Sequence, residues 1–282
     1  MTLFSVKSWR MIRRNRTAFV GLCIVLVLVL GSLLIPLLSS ASPGAQDFER
    51  FLSPSFEHPF GTDSLGRDLM LRTFAGGRIS LFVAFVAVGF SLLIGVPMGL
   101  IAGYAGGKVD STLMRLVDLM LSFPSILLAI VLVTAFGGAS LQSLVLSVGI
   151  VGIPQFARQT RGEVLSLREQ EYVISARALG FGHIRILLRH VLPNAVGPLT
   201  VLTTLRVGTA ILEAAGLSFL GLGVEVGTAE WGVMIKDARE FMSQSPWLAV
   251  FPGLALSLTV LGFNLFGDGL RDVLDPKQVR NR

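Results

Sequence analysis

Six long apolar runs constrain this chain more than any other feature. They fall at 19–38, 80–103, 113–136, 141–156, 196–215 and 247–267. A helix needs about 20 apolar residues to cross the hydrocarbon core of a bilayer. Only closed barrels and helices satisfy their backbone polar groups there, and unalternated runs of this length predict helices. The expected fold is therefore all-α, a membrane protein with six transmembrane helices. The fourth run is the shortest and holds Pro154, which predicts a break there. Charged residues make up only 15% of the chain, against about 25% in soluble domains.

The first run follows a basic start (Lys7, Arg10, Arg13, Arg14, Arg16) and precedes small residues (Ser39, Ser40, Ala41, Ser42). A cleaved signal carries a shorter apolar stretch, so the segment reads as a retained anchor. The 24 Lys and Arg exceed the 18 Asp and Glu. A basic chain suggests nucleic acid, but these cations flank apolar runs and no nucleic-acid motif appears. The positive-inside rule accounts for them and places the N-terminus in the cytoplasm. The inner side then takes the N-terminal cations, Lys108, Arg115, the six arginines between Arg158 and Arg189, and Arg271, Lys277, Arg280 and Arg282. The expected organisation is a cytoplasmic N-terminus (1–18), a first span (19–38), an extracytoplasmic loop (39–79), a five-helix core (80–267) with an inner loop at 158–194, and a cytoplasmic C-terminus (268–282).

Cys23 is the only cysteine, and His58, His183 and His190 are scattered, so no disulfide and no metal cluster is expected. Gly106, Gly107 and Lys108 approach a phosphate-binding loop, but Ala102 and Val109 occupy the positions of its first glycine and its hydroxyl residue. No cofactor is expected, and no Ser/His, metalloprotease or paired-acid set lies at spanning depth, which argues against a membrane enzyme.

The inner loop reads as two short helices bent at glycines. Tyr172, Ala176 and Leu179 share one stripe, Gly180 and Gly182 interrupt, and Ile184, Leu187, Leu188 and Val191 share the next until Pro193 ends it. Such a loop either lies on the lipid surface or docks a cytoplasmic partner. Gly95, Gly99, Gly103 and Gly107 recur every fourth residue, a face for close helix packing within the chain or against a second subunit. Arg206 and Glu213 sit in the fifth span. Charges at that depth face a partner or a watery path, and seven residues of helix set them about 10 Å apart along the axis, too far for a direct pair without bending. Arg115 with Asp118, and Asp268 with Arg271, are expected as local ion pairs.

The stretch EYVISARALGFGHIRILLRHVLPN resembles the cytoplasmic loop of permease subunits of ABC importers. Ser175, Ala176, Gly180 and Pro193 fall on the Ala-Ala, Gly and Pro of that pattern, while Ile174 stands where the family has glutamate and His190 where it has an apolar residue. HPFGTDSLGRD from His58, GLIAGYAGGKVD from Gly99, LSFLGLG from Leu217 and FNLFGDGLRDVLDPK from Phe263 resemble segments of the dipeptide, oligopeptide and nickel importer permeases. The outer loop at 224–231 lacks the prolines the family often carries there. The resemblance implies a non-catalytic subunit of an inner-membrane importer. Its expected partners are two ATP-binding subunits, a sister permease, an extracytoplasmic solute-binding protein and membrane lipid, with no nucleic acid. It further implies that Ile174, Ser175, Ala176, Arg177, Gly180, Phe181, Gly182 and Pro193 form the ATPase-docking loop, and that peptides are the cargo. Nickel chelates or other small solutes within the same family, and a self-sufficient secondary carrier, are the alternatives. The carrier should show inverted repeats and coupling carboxylates, which the chain lacks.

Overall fold

The computed structural model describes residues 13, 15–225 and 227–274. Lys7, Arg10, Arg14, Lys277, Arg280 and Arg282, and with them most of both terminal segments, lie outside the described residues.

The described chain is helical almost throughout, with an isolated bridge between Thr62 and Asp68. Helix α1 (Arg16–Leu38) is followed by an irregular segment and then by α2 (Leu69–Ala105). Next come α3 (Gly107–Leu121), α4 (Ser125–Ala135) and α5 (Leu141–Leu167). The short α6 (Glu171–Ala178) and α7 (His183–Ile186) precede a π-helical turn (Leu187–Val191) and α8 (Leu192–Phe219). Helix α9 (Trp231–Ala238) and a 3-10 turn (Arg239–Phe241) lead to α10 (Trp247–Leu274). Five helices are long and apolar enough to cross a membrane, and α3 with α4 makes a sixth if the bent pair is one span.

That bent pair departs from the straight third span expected at 113–136. The axis turns by 95° between α3 and α4. Phe123 precedes Pro124, and the residue before a proline avoids the helical region. Pro124 also has no N–H, and it takes the N-cap position of α4 with extended ψ. Pro154, by contrast, breaks nothing. Helix α5 runs through it for a further three turns, because flanking helices hold a proline-containing span together in lipid.

The core lies where α2, α5 and α8 meet. Close approach is set by glycine: a Cβ on Gly95 would sit 2.7 Å from the Ile153 carbonyl oxygen of α5, and one on Gly103 would sit 3.0 Å from that of Arg161. Gly99 abuts Ala157 in the same way. Gly107 is apart from this seam. It opens α3 with φ +54°, and nothing surrounds its Cβ position. At the edge, α1 lies on α10 through Ala18, Gly21, Gly262 and Gly269.

The bundle has two unlike ends. One, the cap end, carries the segment 39–68 and the region around α9. The other, the loop end, carries α6 and α7.

Candidate functional site

At the loop end, α5 stops at Leu167 and α6 begins four residues on. Helix α6 buries Val173 and Ala176 against the bundle and exposes Ile174, Ser175 and Arg177. It closes with a Schellman motif. The Phe181 N–H donates to the Ala176 carbonyl (3.1 Å), and the Gly180 N–H donates to that of Arg177 (3.0 Å). Gly180 takes φ +79°, the left-handed conformation that glycine adopts without a Cβ penalty. Gly182 then caps α7. Phe181 is half-buried, stacked on His190 with centroids 6.0 Å apart, and the Arg185 guanidinium lies 4.4 Å over its ring. Pro193 is exposed in the first turn of α8.

Pro193 does not end the second helix as expected. The π turn carries the chain through, with the Leu192 N–H donating to the Leu187 carbonyl five residues back. A wider turn absorbs the missing proline donor and its ring, so His183–Phe219 is one continuous helix of 37 residues. The expected apolar stripes also divide differently. Ala176 and Val191 are buried, whereas Tyr172 (41% exposed), Leu179 (74%), Ile184 (74%) and Leu188 (58%) stand in the open beside Ile174 (50%). Ile186 and Val191 turn into the bundle, whereas these five large side chains face outward, more apolar surface than a loop packed only on its own bundle would leave.

Two ion pairs brace the approach to the loop. Arg161 of α5 grips Asp110 of α3 with two parallel hydrogen bonds of 2.5 and 2.6 Å, and Arg158 reaches Asp118 at 2.5 Å. Asp118 therefore pairs across helices and not with Arg115. Among the described residues neither that local pair nor Asp268 with Arg271 forms an ion pair. A neighbour in sequence competes with any cation that packing brings closer.

Deep in the bundle, Arg206 and Glu213 pair directly, contrary to the spacing argument. Arg206 Nη1 and Nη2 donate to the two carboxylate oxygens of Glu213 at 3.0 and 2.7 Å. Two turns of helix separate the Cα atoms, but the extended arginine side chain runs along the axis and covers the gap. The Arg206 side chain is 1% exposed and that of Glu213 13%. Arg206 Nε lies beside Gly152 of α5 and has no hydrogen-bond partner among the described residues.

The cap end is built from the HPFGTDSLGRD segment. Asp63 accepts from the N–H groups of Leu65 and Arg67 and from the Arg67 guanidinium (2.6 Å), and it also pairs with Arg72 (3.3 Å). Asp68 caps α2 on the Leu71 N–H (2.8 Å) and holds His58 Nδ1 at 3.0 Å. Glu230, 1% exposed, accepts from Ser80 (2.8 Å) and caps α9 on the Val233 N–H (3.0 Å). Burial raises the carboxyl pKa of Asp237 beside this cluster, even with Lys236 and Arg72 nearby. The spacing of the segment did not announce these partners.

Among the described residues, no group of three or more His, Cys, Asp or Glu is placed to hold a metal ion. The site is thus an exposed surface at one end of a bundle of membrane-spanning helices, braced by ion pairs. Residues 95–280 match the family model described as the binding-protein-dependent transport system inner membrane component, and residues 4–54 match the N-terminal transmembrane domain of oligopeptide transport permease C. The dipeptide transport system permease protein DppC of Alkalihalophilus pseudofirmus is 47% identical over 97% of this chain and 91% of that protein. The glutathione transport system permease protein GsiD of Escherichia coli O157:H7 is 44% identical over 95% of this chain and 89% of its own length. The oligopeptide permease protein OppC of Bacillus subtilis is 41% identical over 94% and 87%. A chain of the MetNI methionine ABC transporter, in an inward-facing conformation, shares the fold at 20% identity with a TM-score of 0.62, over 73% of this chain and 98% of that one. The chain belongs to the family of binding-protein-dependent transport system inner-membrane components, and it is a multi-pass inner-membrane protein.

Proposed function

We propose that this chain is one permease subunit of an ATP-driven importer of di- or oligopeptides. On this reading its loop end is cytoplasmic and docks an ATP-hydrolysing subunit through Ile174, Ser175 and the turn at Gly180, Phe181 and Gly182. A second ATPase subunit and a sister permease complete the assembly, and a solute-binding protein delivers cargo at the cap end. The observation that carries the reading is the apolar, open surface of α6 and α7, closed by its own backbone hydrogen bonds at Gly180, in a chain of this family. The distribution of Lys and Arg supports the orientation, and the names of the similar permeases support peptide cargo. Nothing singles out nickel chelates, and family membership sets aside a self-sufficient carrier.

Two measurements test it. The tagged chain should co-purify with two ATPase polypeptides, and membranes containing the assembly should take up labelled dipeptide on ATP addition. Gly180→Val, which forces a β-branched residue to positive φ, should lower binding-protein-stimulated ATP hydrolysis at least tenfold while Gly180→Asn retains it. Full coupling in Gly180→Val would remove the loop from the force path. Accessibility of a cysteine placed at Ser175 to an impermeant reagent on intact cells would reverse the orientation.

A further inference from the structure

A pocket of about 320 Å³ lies between the end of α2 and the α6–α7 loop, lined by Tyr104, Arg168, Glu169, Arg177 and His183. That volume falls within the ~300–1,000 Å³ typical of small-ligand sites. Its chemistry is cationic. Arg168 is held in place by the Gly103 carbonyl (Nη1, 3.1 Å) and by Glu169 (Nε, 3.0 Å), and its remaining donors have no partner among the described residues. Arg177 forms no ion pair among the described residues; its guanidinium lies 6.0 Å from the centroid of the Tyr104 ring. His183 Nδ1 meets the Tyr104 hydroxyl at 3.1 Å. Glu169 is the one acid of the set and its side chain is 71% exposed. Two guanidiniums, an imidazole and a phenol thus converge on one space, a donor set suited to an oxyanion with several acceptor oxygens.

The surroundings narrow the ligand. Ile94, Pro97, Ile101 and Tyr104 fall at i, i+3, i+7 and i+10 of α2; the first three are exposed, and the stripe leads along the membrane-spanning surface to the pocket mouth. An acyl chain lying on that stripe brings its headgroup to Arg168 and Arg177, and basic pockets at the ends of spanning helices recognise anionic headgroups. We infer that this pocket binds the phosphate of an anionic phospholipid in the leaflet facing the loop end. That this leaflet is the inner one rests on the orientation proposed above, whereas the binding itself does not.

The test uses the assembled transporter, purified and returned to nanodiscs of phosphatidylcholine with or without phosphatidylglycerol. Native mass spectrometry counts retained lipid. The wild type should keep phosphatidylglycerol over phosphatidylcholine, and Arg168→Gln/Arg177→Gln should keep at least fivefold less. The milder Tyr104→Phe and His183→Gln variants, which leave both guanidiniums in place, should lose part of it. If millimolar inorganic phosphate strips the lipid and binds at equal occupancy, the ligand is free phosphate and the lipid assignment is overturned. Equal retention of both lipids, or unchanged retention in the properly assembled double variant, overturns the site altogether. Failure of the orientation would show separately, as labelling at Ser175 from outside with lipid retention intact.

Discussion

The two ends of the bundle solve opposite problems with the same kinds of residue. At the cap end charges are buried and satisfied: the side chains of Asp63, Arg67 and Arg72 are 10%, 11% and 4% exposed. At the loop end the cations are largely open and the large apolar side chains face outward. Burying an ion pair is weak evidence for net stability, but breaking one is strongly destabilising. The cap is therefore fixed to its own bundle. The loop keeps its shape through local backbone bonds and leaves its side chains free for another surface.

The largest expected effect tests that contrast directly. Asp63→Ala leaves Arg67 and Arg72 buried without their carboxylate and should destabilise the protein by about 3–5 kcal/mol, read as a fall in the thermal midpoint in detergent. A midpoint equal to wild type would make the cap no firmer than the loop. Arg206→Leu should lower stability by about 2.5–3.5 kcal/mol, the cost of a lone charge at spanning depth. The double variant with Glu213→Leu should recover most of it. Peptide uptake by that stable double variant then decides whether the pair lines the path, in which case uptake is lost, or only braces α8. Asp237→Asn is expected to be small. Burial lifts the Asp237 carboxyl above its ordinary 3.8, so the folded state holds this proton more tightly. The resulting stability is full at low pH and declines as pH rises from about 3.8 through the raised value. The amide should therefore stabilise slightly at pH 7 and not at pH 3, a difference visible in paired melts. Ile174→Ser should leave the stability within about 0.5 kcal/mol of wild type, as surface changes do, while lowering ATPase coupling. Unchanged coupling would show that the exposed apolar face is idle.

The spanning helices were legible because twenty apolar residues in lipid admit few other structures. The turn at Gly180 was legible too, since a glycine after a short amphipathic stretch marks a helix end. Prolines misled in both directions. Hydropathy stays high across Phe123 and Pro124, which hid the 95° bend, although the dipeptide itself carried the signal. Pro154 and Pro193 carried the same signal, and packing and a π turn overrode it. The ion pairs were least legible. Asp118 has Arg115 three residues away in sequence and Arg158 beside it in space, and only the folded helices reveal the second. Arg206 and Glu213 were rightly placed on one face, and the reach of an extended arginine was underestimated.

The π turn has a mechanical consequence. With the chain helical without a break from His183 to Phe219, the stretch is roughly 55 Å long, and under the proposed transport cycle it would serve as a single lever. A tilt of about ten degrees imposed at its foot sweeps the opposite tip through roughly 10 Å, given the length just stated. Arg206 and Glu213 pair within this one helix, so such a swing would need neither charge to change partners on the way.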